Sequence, residues 1–166
     1  MFYVTDSVTN GVSSISTSNG LVVPLFTLAR GSPSMIRMNR ASGNLFIVDN
    51  ANASVYVYTI AGVFVTSYGY FGFTGYFNGN TYNLFSYPRG LGADFNGSML
   101  VTDAGNAVVR KITGLVTSTV AGTFGEGSSN GLPFYSKFSS SMNGICIAPD
   151  DTIYVSETFG IRRIVP

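Results

Sequence analysis

The chain has no histidine and no tryptophan, one cysteine, and two lysines among 166 residues. Without histidine, the commonest general base and the commonest zinc ligand are missing. Ser–His or Cys–His nucleophilic chemistry therefore has no base here, and a His-ligated metal site has no ligand. The one cysteine, Cys146, allows neither an intrachain disulfide nor a thiolate cage. Flanked by Ile145 and Ile147, it reads as a small buried hydrophobe. Charged residues make up 10 % of the chain, against about 25 % in an ordinary soluble domain. Nine Lys/Arg against eight Asp/Glu leave a net charge of +1, which gives phosphate-driven nucleic-acid binding no basic stripe to use. No apolar run approaches the roughly 18 residues of a membrane span, so no membrane insertion is expected. Met1 to Asp6 hold no basic region followed by an apolar stretch, so no secretory leader is legible there. No window of eleven residues keeps a helical hydrophobic period free of Gly or Pro.

What is present is 45 % hydrophobic residues, with 20 Gly, 20 Ser and 15 Thr. That is enough apolar matter for a core. Low charge with abundant Ser, Thr, Asn and Tyr leans toward an extracellular or cell-surface setting. The sequence also repeats itself. Turn residues, an alternating apolar run and an acid recur as Phe2-Tyr3-Val4-Thr5-Asp6, Gly43-Asn44-Leu45-Phe46-Ile47-Val48-Asp49, Gly97-Ser98-Met99-Leu100-Val101-Thr102-Asp103 and Asp151-Thr152-Ile153-Tyr154-Val155-Ser156-Glu157. The acids are 43, 54 and 54 residues apart, and Gly90 and Gly144 in the preceding runs are also 54 apart. A turn follows each acid, then runs such as Val55-Tyr56-Val57-Tyr58, Val108-Val109-Arg110-Lys111-Ile112 and Ile161-Arg162-Arg163-Ile164. Short Val-, Ile-, Tyr- and Thr-rich runs bounded by Gly, Asn, Asp and Pro read as strands. Four such strands per 40–55 residues predict propeller blades. Glycine in the first strand of a unit fits the crowding around a propeller axis.

The segment Gly43 to Asp49 with Asn52 carries a resemblance to the NHL-repeat family. So does Pro88-Arg89-Gly90-Leu91 leading to Val101-Thr102-Asp103, Asn106 and Val109-Arg110-Lys111-Ile112. Val120-Ala121-Gly122-Thr123-Phe124-Gly125, with Asn130-Gly131 and Phe138, is similar to the Gly-rich stretch between such repeats. The resemblance spans nearly the whole chain. It is best in the second and third units. The first unit drifts after Asp6, and the fourth has Glu157 for Asp and a shortened turn at Gly160. It implies a β-propeller, usually of about six blades, and no single activity.

The expected fold is therefore all-β: four-stranded antiparallel blades in an incomplete propeller. The units lie at about 1–30, 34–69, 87–122 and 142–166. The strand sum is 3, 4, 4 and 3, which is not a whole number of four-stranded blades. An excerpt of a longer propeller satisfies this sum, and so does completion by other chains.

For function, the stretch from Tyr68 to Tyr87 holds nine aromatics. Tyr68, Tyr70, Phe71, Phe73, Tyr76, Phe77 and Tyr82 are candidates for an interaction surface, set against packing onto a neighbouring blade. The repeated acids read as acceptors for backbone N–H groups in their turns. Arg110 and Arg162 read as salt-bridge partners of nearby acids. Asp94-Phe95-Asn96-Gly97 reads as a hairpin turn and not as a calcium loop, because the twelfth position is Gly105. Asn52 and Asn96 head Asn-X-Ser glycosylation acceptors. Catalytic, metal and cofactor residues are not indicated. The reading is a non-enzymatic extracellular structural or adhesive module that contacts other protein chains, copies of itself included. Two alternatives stand beside it: a larger NHL propeller binding a protein or carbohydrate ligand, and a fragment of a metal-dependent lyase or lactonase.

Overall fold

The computed structural model describes residues 1–80, 82–158 and 160–166. Among these residues the chain forms four antiparallel sheets, each a meander in chain order. The first holds β1 (Phe2–Asp6), β2 (Gly11–Ile15) and β3 (Val22–Thr27). The second holds β4 (Pro33–Met38), β5 (Leu45–Asp49), β6 (Ser54–Tyr58) and β7 (Phe64–Tyr68). The third holds β8 (Pro88–Ala93), β9 (Met99–Asp103), β10 (Val108–Thr113) and β11 (Val116–Ala121). The fourth holds β12 (Ile145–Ile147), β13 (Ile153–Glu157) and β14 (Gly160–Ile164).

β4, β8 and β12 lie side by side, and β1, β5 and β9 each lean on the inner strand of the sheet that follows. The sheets are thus blades of an incomplete propeller. β5 is buried at all five positions because its two faces serve two interfaces. Leu45 and Ile47 meet Val12 and Leu28 of the first blade region, while Phe46 and Val48 meet Leu91, Met99 and Val101 of the third. β9 works the same way, with Leu100 turned toward Ile145, Ile153 and Val155. Strands covered on both faces read as continuous apolar runs. Each large side chain so buried contributes about 1.5–3 kcal/mol.

The repeated glycines have a structural cause. Register shifts between Pro88 and Leu91 in β8, and the hydroxyl of Thr102 accepts the Gly90 N–H at 2.6 Å. Ser156 accepts the Gly144 N–H at 2.8 Å in the same way. At Gly90 the side-chain hydroxyl thereby replaces a ladder bond that the irregularity removes. A Cβ on Gly90 would overlap the Asn143 carbonyl oxygen of the next blade, so the close approach of the two inner segments requires glycine. The Asp94 turn is the expected hairpin. Its Oδ1 accepts from the Asn96 and Ser98 N–H groups, and Gly97 takes the left-handed conformation with φ of 85°.

Cys146 corrects the sequence reading, because it is exposed. Alternation along β12 sends Ile145 and Ile147 toward Gly92 of the third blade. It sends Cys146 to the opposite, open face.

Candidate functional site: an aromatic connection held by a buried arginine

Each repeated acid ends a strand, but the four do different work. Asp6 is exposed, and its carboxylate accepts from Val8 N, Thr9 N and Thr9 Oγ1. The Val8 N–H and Thr9 hold its pKa below the ordinary value. Asp49 is buried and accepts from the Asn52 N–H, Asn52 Nδ2 and the Tyr56 hydroxyl. Burial first, then Asp49, push the Tyr56 phenol well above its usual range. These two acids cap their own turns, as expected. Asp103 and Glu157 instead reach back to the connection that precedes their blade. They accept the Ser86 N–H at 2.7 Å and the Ser139 N–H at 2.6 Å.

The salt bridges expected of the two arginines are present. Arg110 to Asp103 spans 2.8 Å with both side chains fully buried, and Arg162 to Glu157 spans 3.2 Å. Their reach is much longer than a local pair. Arg110 Nη1 also donates to Leu84 O at 3.0 Å, and Nη2 donates to Phe77 O at 2.7 Å and Asn78 Oδ1 at 2.8 Å. Its guanidinium lies over the rings of Tyr76 and Phe85, each centroid 5.1 Å away. Asn106 Nδ2 adds bonds to Asp103 Oδ2 at 2.8 Å and to Gly75 O at 2.7 Å. Only a planar fork with two stacking faces can fill such a site; a lysine offers neither.

The fourth blade repeats the device. Arg162 donates to Lys137 O, Ser129 O and Asn130 Oδ1, and stands 5.0 Å over Phe138. In the second blade the position of Arg110 is taken by Tyr56. The difference follows connection length. Five residues (28–32) lead into the second blade, nineteen (69–87) into the third and twenty-three (122–144) into the fourth. Arginine stands where there is a long connection to hold. A sequence signal for this existed: Asn78 and Asn130, like Arg110 and Arg162, are 52 residues apart.

The nineteen-residue connection carries the candidate surface. Tyr70, Phe73, Phe77 and Tyr82 are exposed and linked ring to ring. The centroids lie 5.0 Å apart for Tyr70–Phe73, 6.4 Å for Tyr70–Tyr82 and 5.7 Å for Phe77–Tyr82. Tyr76 extends the patch toward Phe124 of the next connection at 5.6 Å, and Arg30 lies over Phe71 at 5.4 Å. The structure therefore brings Tyr70, Phe73, Phe77 and Tyr82 together, while Phe71 and Tyr76, on the same connection, meet Arg30 and Phe124 instead. Tyr68 does not join them. It is 5 % exposed, stacks on Phe46, and donates its hydroxyl to Gly114 O at 2.6 Å. It is a core residue of the second blade interface, because as the last residue of β7 its side chain turns inward. Residues 50–88 contain no charged side chain, so the connection itself presents ring faces, hydroxyls, amides and backbone groups, with Arg30 beside Phe71 as a neighbouring charge.

The two glycosylation acceptors also differ. Asn52 spends its side-chain amide on Asp49. Asn96 is exposed at the tip of the β8–β9 hairpin.

No protein-family model matches the chain, and no curated protein matches it. Solved structures do. A protein of unknown function from Bacteroides thetaiotaomicron superposes with a TM-score of 0.85 at 22 % identity, over 97 % of this chain and 43 % of its own. An auxiliary nutrient binding protein from the same organism gives 0.80 at 16 %, over 97 % and 44 %. A catalytically inactive variant of virginiamycin B lyase from Staphylococcus aureus, with a histidine replaced by alanine, gives 0.67 at 17 %, over 98 % and 48 %. These likenesses establish the propeller-type fold. The chain spans less than half the length of each of these neighbours.

Proposed function

We propose that the chain is part of a non-catalytic, extracellular β-propeller that acts by contact with another protein. The contact surface is the ring patch of Tyr70, Phe73, Phe77 and Tyr82. One observation carries this reading: the exposed patch rides on a connection anchored at Gly75, Phe77, Asn78, Leu84 and Ser86 by buried residues of the third blade. A pre-shaped aromatic surface binds without the ordering cost of a loose loop. The exposed Asn96 acceptor and the Ser/Thr-rich composition support an extracellular setting.

A neutral carbohydrate is the second reading, favoured by the charge-free run from 50 to 88. Labelled protein applied to cells of the source organism separates the two. Saturable binding, weakened at least about tenfold by the combined Tyr70→Ser, Phe73→Ser and Tyr82→Ser changes, is expected to vanish when the cells are treated with protease. It should survive periodate oxidation of their sugars. Loss after periodate alone would establish the carbohydrate reading, and binding unaffected by the triple change would remove the patch from the function.

A further inference from the structure

Several cations of the chain are spent on the fold. Arg110, Arg162 and Lys111 are each matched by an acid, Arg89 donates to Asn143, and Arg30 lies over Phe71. Two arginines of the second blade are not spent. Among the described residues, neither the Arg37 nor the Arg40 guanidinium makes an ion pair, a hydrogen bond or a stack on a ring. Arg37 lies near the end of β4, and Arg40 follows in the turn to β5. Both line one cavity of about 450 Å³, a size within the roughly 300–1,000 Å³ of small-molecule sites.

The cavity lies among β1, β4, β12 and the β8–β9 turn. Ile36, Met38, Ala93 and Ile147 give it apolar walls, and the exposed rings of Phe2 and Phe95 flank it. A buried amide holds its shape. Asn39 donates from Nδ2 to Gly97 O at 2.7 Å, which ties the β4–β5 turn to the β8–β9 turn. Its Oδ1 accepts from the Ala41 and Ser42 N–H groups at 3.0 and 3.2 Å. The two turns abut so closely that a Cβ on Gly97 would come within 2.8 Å of the Ala41 Cβ. The backbone that carries Arg40 is therefore set before any ligand arrives, which lowers the ordering cost of binding.

We infer that this cavity binds a monocarboxylate carried on an apolar body, with Arg37 and Arg40 on the carboxylate and Ile36, Met38 and Ile147 against the body. The ligand class follows from the lining. A guanidinium is a planar fork of donors that matches a carboxylate, and both arginines have that fork unspent. Apolar walls beside the forks favour a ligand with an apolar part to bury. One acid also lines the cavity: Asp94, paired with Lys111 at 2.9 Å. Its repulsion of an anion scales with the anion's charge, so a singly charged carboxylate fits better than a doubly charged phosphate ester. The cavity shares no residue with the ring patch, so the inference stands apart from the proposed function.

Titration of the isotope-labelled full chain with octanoate, followed by nuclear magnetic resonance, tests it. Saturable shifts are expected at the backbone N–H groups of Ile36 to Ala41 and at the Nε–H groups of Arg37 and Arg40, with a dissociation constant below about 1 mM. Octanamide, which has the same chain without the charge, should bind at least about tenfold more weakly. Octyl phosphate should bind no more tightly than octanoate. Arg37→Gln and, independently, Arg40→Gln should each weaken octanoate binding at least about fivefold. Thermal melting and far-ultraviolet circular dichroism check that each variant is folded. Arg163→Gln and Tyr70→Ser, both outside the cavity, should leave binding unchanged. The absence of shifts up to about 10 mM octanoate overturns the inference. So do shifts confined to the ring patch, octanamide binding as tightly as octanoate, tighter binding of octyl phosphate, or folded arginine variants that bind as the wild type does.

Discussion

Asp103 joins three segments with one carboxylate: its own strand, Ser86 of the connection and Arg110 of the next strand. Burial pushes its pKa up, to about 6, against the lowering pull of Asn106, the Ser86 N–H and Arg110. The unfolded chain holds the same group near 3.8. Between these values the native state keeps a proton that the unfolded state has released. The stabilisation from this group is therefore complete below about pH 4 and is lost as pH rises through about 6. Wild type should gain on Asp103→Asn by up to about 3 kcal/mol on going from pH 7 to pH 4. Urea unfolding of both proteins at three pH values measures this difference. A difference that does not vary with pH would mean that Arg110 keeps the carboxylate ionised throughout.

In β8 the decisive position has no side chain. A methyl on Gly90 would displace the Asn143 carbonyl, so Gly90→Ala should cost about 2–3 kcal/mol in urea unfolding. Gly160 in β14 has open space where its Cβ would stand, and Gly160→Ala should stay within about 0.5 kcal/mol of wild type. Equal effects would mean that the inner strands are free to part. The sequence made the strands and their repeat legible, because alternation, turn residues and the terminal acid are all local. It also made Gly90 and Gly144 legible as a pair. It did not separate Tyr68 from Tyr70, two residues on, because burial of Tyr68 depends on Phe46 and Gly114, each far away along the chain. The arginines looked like local salt-bridge partners for a similar reason. Phe77 and Leu84 come within reach of Arg110 only after the connection has folded back over its blade.

The two middle blades are covered on both faces, whereas the first and fourth each present an open one. Phe2 and Val22 are 65 % and 55 % exposed on the first, and Ile161 is 73 % exposed on the fourth. Stability should grade accordingly. Native-state hydrogen exchange is expected to find β5, β6, β9 and β10 most protected. The first blade should exchange at least about tenfold faster, and uniform protection would show a single cooperative unit. The arginine clamp bears on variation as well as on stability. Arg110 holds Phe77 and Leu84 by their carbonyl oxygens, and Asn106 holds Gly75 in the same manner. A carbonyl is supplied by every amino acid. The frame is therefore largely indifferent to which side chains the connection displays, and those side chains can be exchanged at little cost to the blade beneath. The long connections are places where such a propeller can acquire new binding preferences while its core sequence stays fixed.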